Sequence, residues 1–126
     1  IYDYLIGNTD NHIKNLSLLY SENLKTVSLA PAYDIISTVI YQGTSREMAI
    51  GIGGERNINH ITREHFINAA SDVGLGKKMA LKHFDVLVDG FEKALNETAV
   101  RLNEEGYSKA KDIKEQILKH GGYSHL

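Results

Sequence analysis

A long amphipathic stretch sets the class of fold open to this chain. From Lys77 to Glu105 the apolar residues Phe84, Leu87, Val88, Phe91, Leu95 and Leu102 recur at helical spacing over a polar back face. Residues three and four apart share one side of an α-helix, so the stretch predicts a long helix with its apolar stripe on a core. Thr62 is a good N-cap for a helix over REHFINAASDVG, with Gly74 at its end. Ser108 is placed to cap a last helix over Lys109 to His120, closed by Gly121, whose Lys and Glu mixture makes a solvated face.

The part before Thr62 reads differently. Ile1 to Ile6 has the character of helical turns ended by Gly7. Leu16 to Tyr20 and Thr26 to Leu29 are strand-like around the turn-prone SENLK and predict a short hairpin. Pro31 holds Ala30 extended. YDIISTVIYQ carries an apolar stripe at Ile35, Ile36, Val39 and Ile40 that fits helix or strand. In EMAIGIGG, Met48, Ile50 and Ile52 alternate as on a strand, and GGERN reads as a turn. The expected fold is mainly α (α+β), one domain over residues 1–126.

Bulk properties narrow the function. The apolar fraction of 42% and charged fraction of 24% are those of a soluble folded chain. A formal net charge of -2 gives no general pull toward nucleic acid or an anionic membrane. No cysteine is present, so disulfide and thiolate chemistry are excluded and a reducing, cytoplasmic setting is expected. No apolar run reaches the roughly 18 residues of a membrane span, and no secretory signal is visible. Beginning as it does with IYDYLIG, the chain reads as an excised piece of a longer protein.

The run IGNTDNHIKN, Ile6 to Asn15, is too polar to be a core element. Asp10 and Asn15 stand five apart, the spacing of the protein-kinase catalytic loop, where the Asp accepts the proton of the acceptor hydroxyl and the Asn binds magnesium. Magnesium prefers hard oxygen ligands and few of them. Asp34, in LAPAYDII just past the predicted hairpin, supplies the acidic second ligand such a site needs. Asp-x-x-x-x-Asn alone is a weak signal. Asp-x-His-x-Lys-Asn, a hairpin, then Pro-x-Tyr-Asp is far more specific.

GNTDNHIKN, LAPAYDII and MAIGIGGERN…ITREHF together resemble the C-terminal lobe of HipA-like serine/threonine kinases, the toxin half of bacterial toxin–antitoxin pairs. The resemblance runs from Ile1 to at least Gly74. The D-x-H-x-x-N order is also similar to the catalytic loop of phosphatidylinositol kinases. The resemblance implies Asp10 as general base, Asn15 and Asp34 as magnesium ligands, and His12 and Lys14 near the phosphates of ATP. It implies a kinase C-lobe-like helical domain whose hairpin carries the catalytic and metal-binding loops. A protein acceptor is expected, together with a repressor antitoxin as partner. Position 11, often basic in the family, is Asn here, an exchange expected to weaken phosphate contact. Nothing matches a phosphate-covering glycine loop or a strand lysine, so the N-terminal nucleotide-binding lobe is expected outside this chain. Residues 1–126 alone are then expected to be inactive.

Other readings attach to the same residues. Asp10 and Asn15 also suit a loop whose Asx side chains cap turns, and Asp34 suits an N-cap. His12 suits a bond to loop backbone, and Lys14 a solvated charge. A divalent-metal hydrolase would need a second His–Asp cluster, and His60, His65, His83 and His120 share no ligand spacing. Gly51 to Gly54 lack a phosphate-loop pattern and read as a tight turn. The long helix's stripe reads as core. Against the enzyme stands a non-catalytic binding module of the same fold.

Overall fold

The computed structural model describes residues 1–126. A short helix α1 (Tyr2–Ile6) leads into the polar run, which ends in a 3-10 turn (Ile13–Asn15). Two antiparallel hairpins follow: β1 (Leu18–Tyr20) with β2 (Val27–Leu29), and β3 (Glu47–Ile52) with β4 (Glu55–Asn57). Helices α2 (Arg63–Asp72), α3 (Lys77–Glu104) and α4 (Ala110–His120) complete the chain, with a final 3-10 turn over Gly122–His125. Helices carry most of the regular structure around two small sheets, in line with the expected class.

The core lies where α1 meets the helical half. Tyr4, Leu5 and Ile6 are buried, and aromatic rings carry the contact onward: Tyr4 to Phe66 on α2 at 5.4 Å and Phe66 to Phe84 on α3 at 4.9 Å between ring centres. Such edge and tilted pairs add to what area burial alone contributes. On α3, Phe84 and Phe91 are buried while Leu87 stays partly exposed, so the stripe is core along one line only. Ile117 brings α4 onto the same core. Arg63 forks onto Asp85 at 2.7 Å and fastens α2 to α3.

The cap at Thr62 is the expected one, with a detail the sequence does not advertise. The Thr62 N–H donates to His65 Nδ1 at 3.0 Å, so a histidine occupies the place a Glu or Gln takes in a capping box. Three expectations need correction. GGERN is only partly a turn: Gly53 and Gly54, at φ +57° and +89°, form a two-residue hairpin loop, and Glu55–Asn57 pair as β4. YDIISTVIYQ is neither helix nor strand, since its path is fixed by Thr38 and Val39, whose N–H groups both donate to the Gly7 carbonyl. The last helix starts after Lys109, not Ser108, because Gly106 at φ +98° first turns the chain out of α3.

Gly7 ends α1 in the left-handed region at φ +76°, and a Cβ there would overlap the Val39 side chain. The αL penalty is about 1–2 kcal/mol and overpacking adds about 1–3. Gly7→Ala is therefore expected to destabilise the fold by about 2–5 kcal/mol, read as a lower urea midpoint at unchanged slope.

Tyr4 gives a pH signature. Its hydroxyl donates to the Ile61 carbonyl at 3.0 Å, and burial pushes its pKa up to about 12. The folded state thus favours the neutral phenol. That contribution is full below pH of about 10 and is lost as pH rises toward 12. Tyr4→Phe is expected to cost about 1–3 kcal/mol at neutral pH, by orphaning the Ile61 carbonyl, and to flatten the alkaline loss of stability. An unchanged alkaline limb in the variant would assign that loss to other groups.

Candidate active site

The site is a loop held at several points. Asn8 and Thr9, which precede Asp10, are buried. The Asn8 Nδ2 donates to Asp3 Oδ1 at 2.9 Å and to the Asp34 carbonyl at 3.2 Å. The Thr9 N–H donates to the Thr38 hydroxyl at 2.9 Å, its own hydroxyl donates to the Ser45 carbonyl at 3.1 Å, and its carbonyl accepts the Ala49 N–H at 2.8 Å. After Asp10, the Asn11 Nδ2 donates to Asp3 Oδ2 at 2.9 Å. Asp10 itself is exposed. It is thus presented to solvent from a segment fixed on both sides, the preorganisation a reacting group requires.

Asn15 and Asp34 meet. The Asn15 Nδ2 donates to Asp34 Oδ2 at 3.0 Å, across 19 positions of sequence. Asn15 is buried and Asp34 exposed. Asp34 also takes a left-handed backbone at φ +56°. Asp visits that region more readily than most residues, yet still at a cost, and such outliers gather at functional sites. Its neighbour Tyr33 donates its hydroxyl to the Lys14 carbonyl at 2.8 Å, which ties the Asp34 loop to the 3-10 turn bearing Asn15.

The donor set suits magnesium. Asn15 and Asp34 supply hard oxygens, and their mutual bond leaves Oδ1 of each side chain outside it. No group of three or more His, Asp or Glu gathers into an all-protein cage. A magnesium ion here would complete its shell with water and phosphate oxygens, its habit at nucleotide sites.

His12 and Lys14 share the loop without touching this pair. His12 is extended just ahead of the 3-10 turn, and its Nδ1 is buried with no partner in the chain. The Lys14 side chain is exposed. Of the five residues singled out in the sequence, the fold joins Asn15 to Asp34, sets Asp10 on the same braced loop, and gives His12 and Lys14 no contact that fixes a role.

Sequence reasoning missed the braces. Asp3 and Thr38 stand in no quoted motif, and their partners lie 5 to 31 positions away with no helical or strand period to link them, while Asn8 lay inside the quoted GNTDNHIKN and only the fold shows what its amide bonds to. Tyr33 lay inside the quoted Pro-x-Tyr-Asp stretch, and only the fold shows what its hydroxyl does.

Comparison with known proteins bears on the family and the fold. The family model described as HipA-like C-terminal domain matches residues 1–95. A Sinorhizobium fredii protein named "Putative kinase Y4mE" is 32% identical over 95 residues, covering 75% of this chain and 22% of that protein. A second from the same organism, "Putative kinase Y4dM", is 30% identical over 81 residues, covering 64% of this chain and 20% of its own length. The chain thus spans about a fifth of the length of these curated relatives. Among solved structures, a chain of the Shewanella oneidensis MR-1 toxin–antitoxin complex of HipA, HipB and its operator DNA superposes with a TM-score of 0.76. That match covers 93% of this chain and 28% of the other at 23% identity, a likeness of fold. With a family model matched over most of its residues, the chain belongs to the HipA-like C-terminal domain family.

Proposed function

We propose that this domain is the magnesium-binding, acceptor-side part of an ATP-dependent serine/threonine protein kinase of HipA type. The observation that carries the reading is the meeting of Asn15 and Asp34 at 3.0 Å beside the braced Asp10 loop. Asp10 takes the proton of the acceptor hydroxyl. That oxygen bonds to the γ-phosphorus as the bond to the bridging oxygen breaks, and ADP leaves with the electron pair. Asn15 and Asp34 hold magnesium, which when bound offsets charge on the phosphates. His12 and Lys14 lie toward the phosphates, where Lys14 adds a cation. Asp3, Asn8, Thr38 and Tyr33 keep these groups in register. By analogy with the HipA–HipB–operator complex, a HipB-like repressor is the proposed protein partner.

The remaining wall of the nucleotide site is proposed to lie outside residues 1–126. A site with one wall stays wet, and charge contacts in water are weak. The domain alone is therefore expected to bind Mg·ATP no better than about millimolar and to transfer nothing. Radiolabel transfer from γ-labelled ATP by the intact gene product, beside titration calorimetry on residues 1–126, tests both statements. No label from the intact protein refutes the kinase reading. Micromolar binding by the domain alone refutes the placement of the missing wall.

A further inference from the structure

The Asp10 loop borders two hollows that share no lining residue. One, of about 130 Å³, is lined by Asn15 with Asp3, Pro31 and Tyr33. The other, a cleft of about 420 Å³, is lined by Asp10 with Thr44, Ser45, Glu47, Ala49 and Arg56 among others. Phosphoryl transfer brings donor and acceptor to the phosphorus roughly in line, from opposite sides. Asn15 lines the first hollow and Asp10 the second, so a hydroxyl that is to give its proton to Asp10 enters by the second.

The lining indicates what kind of acceptor fits. Ala49 is its only apolar residue, so an acyl chain finds nothing to pack against. Two charges on the β3–β4 hairpin face it unpaired. The chain's ion pairs are His60 with Glu55, Arg63 with Asp85 and Lys93 with Glu97, and none involves Arg56 or Glu47. The Arg56 Nε donates to the Met48 carbonyl at 3.1 Å, which steadies the guanidinium and leaves its terminal nitrogens for a carboxylate. The hairpin is tied to the Asp10 loop through Ala49 N–H on the Thr9 carbonyl and the Thr9 hydroxyl on the Ser45 carbonyl. The charges and Asp10 therefore keep a fixed relation.

We propose that this cleft seats the acceptor as an extended, polar polypeptide segment, with an acidic side chain on Arg56 and a basic one on Glu47 flanking the hydroxyl that reaches Asp10. The inference rests on the phosphotransfer reading above. It is tested with the intact gene product, Mg²⁺, γ-labelled ATP and arrayed peptides. Each peptide carries one serine, flanked by Asp, Glu, Lys or Arg in every combination. Wild type is expected to favour flanks of mixed sign. Arg56→Glu is expected to lower kcat/KM on acidic-flanked peptides on the order of ten- to a hundredfold, with the KM for ATP unchanged. Glu47→Lys is expected to do the mirror image. If wild type labels peptides and Arg56→Glu keeps the same ranking, the acceptor site is wrong and the kinase reading stands. If wild type labels neither peptide nor protein, both fall together.

Discussion

Asp10→Asn in the intact gene product is expected to lower phosphoryl transfer about 10²- to 10⁴-fold while the domain stays folded. The size is that of a general base. The retention of fold follows from where Asp10 sits: it is exposed, and it takes part in none of the chain's ion pairs. The loop's shape depends instead on Asn8, Thr9 and Asn11, whose bonds to Asp3, Thr38 and Ala49 do not involve the substituted carboxylate. An unchanged unfolding midpoint with lost turnover supports the assignment. Near-normal turnover removes Asp10 from the mechanism.

Asp34→Asn is expected to reduce transfer by at least about a hundredfold, the usual scale for one lost electrostatic contact in a transition state. It is also expected to raise the Mg²⁺ concentration needed for half-maximal rate. Asn is the informative substitution because it tolerates the left-handed backbone that Asp34 holds at φ +56°. Alanine there would add an αL cost of about 1–2 kcal/mol and confuse loss of a ligand with loss of the loop. The amide also keeps an oxygen to accept the Asn15 bond. A fall in rate with an unchanged Mg²⁺ dependence would make Asp34 structural rather than a ligand.

How much of this was legible in the sequence depends on which forces act at each point. The α2 cap, the Gly7 stop and the β1–β2 hairpin follow from local chemistry, and the fold has them. β4 was not legible, because Glu55, Arg56 and Asn57 carry no strand preference. Pairing with β3 and the Glu55 carboxylate, which accepts the N–H groups of both Arg56 and Asn57, impose it. Those same two bonds hold the Glu55 carboxyl below the usual carboxylate range. The stretch after Asp34 was undecidable for a related reason. Val39 is buried while Ile35 and Ile36 stay exposed, an order set by the distant Gly7 carbonyl rather than by any period. In the site, the residues proposed to carry chemistry stand at readable spacing in one loop and its sequel. Residues that only position them, such as Asp3 and Thr38, become visible when the fold brings them in.

The proposed role of Asn15 and Asp34 is to hold the metal that accompanies ATP. Its most direct test is a crystal of the intact gene product soaked with Mn²⁺ and a non-hydrolysable ATP analogue, with Mn²⁺ located by anomalous scattering. A single strong peak is expected within about 2.2 Å of an oxygen of Asn15 and an oxygen of Asp34, bridged to the nucleotide phosphates. Nucleotide bound with its metal elsewhere, and Asn15 still closed on Asp34 as at 3.0 Å here, would contradict it.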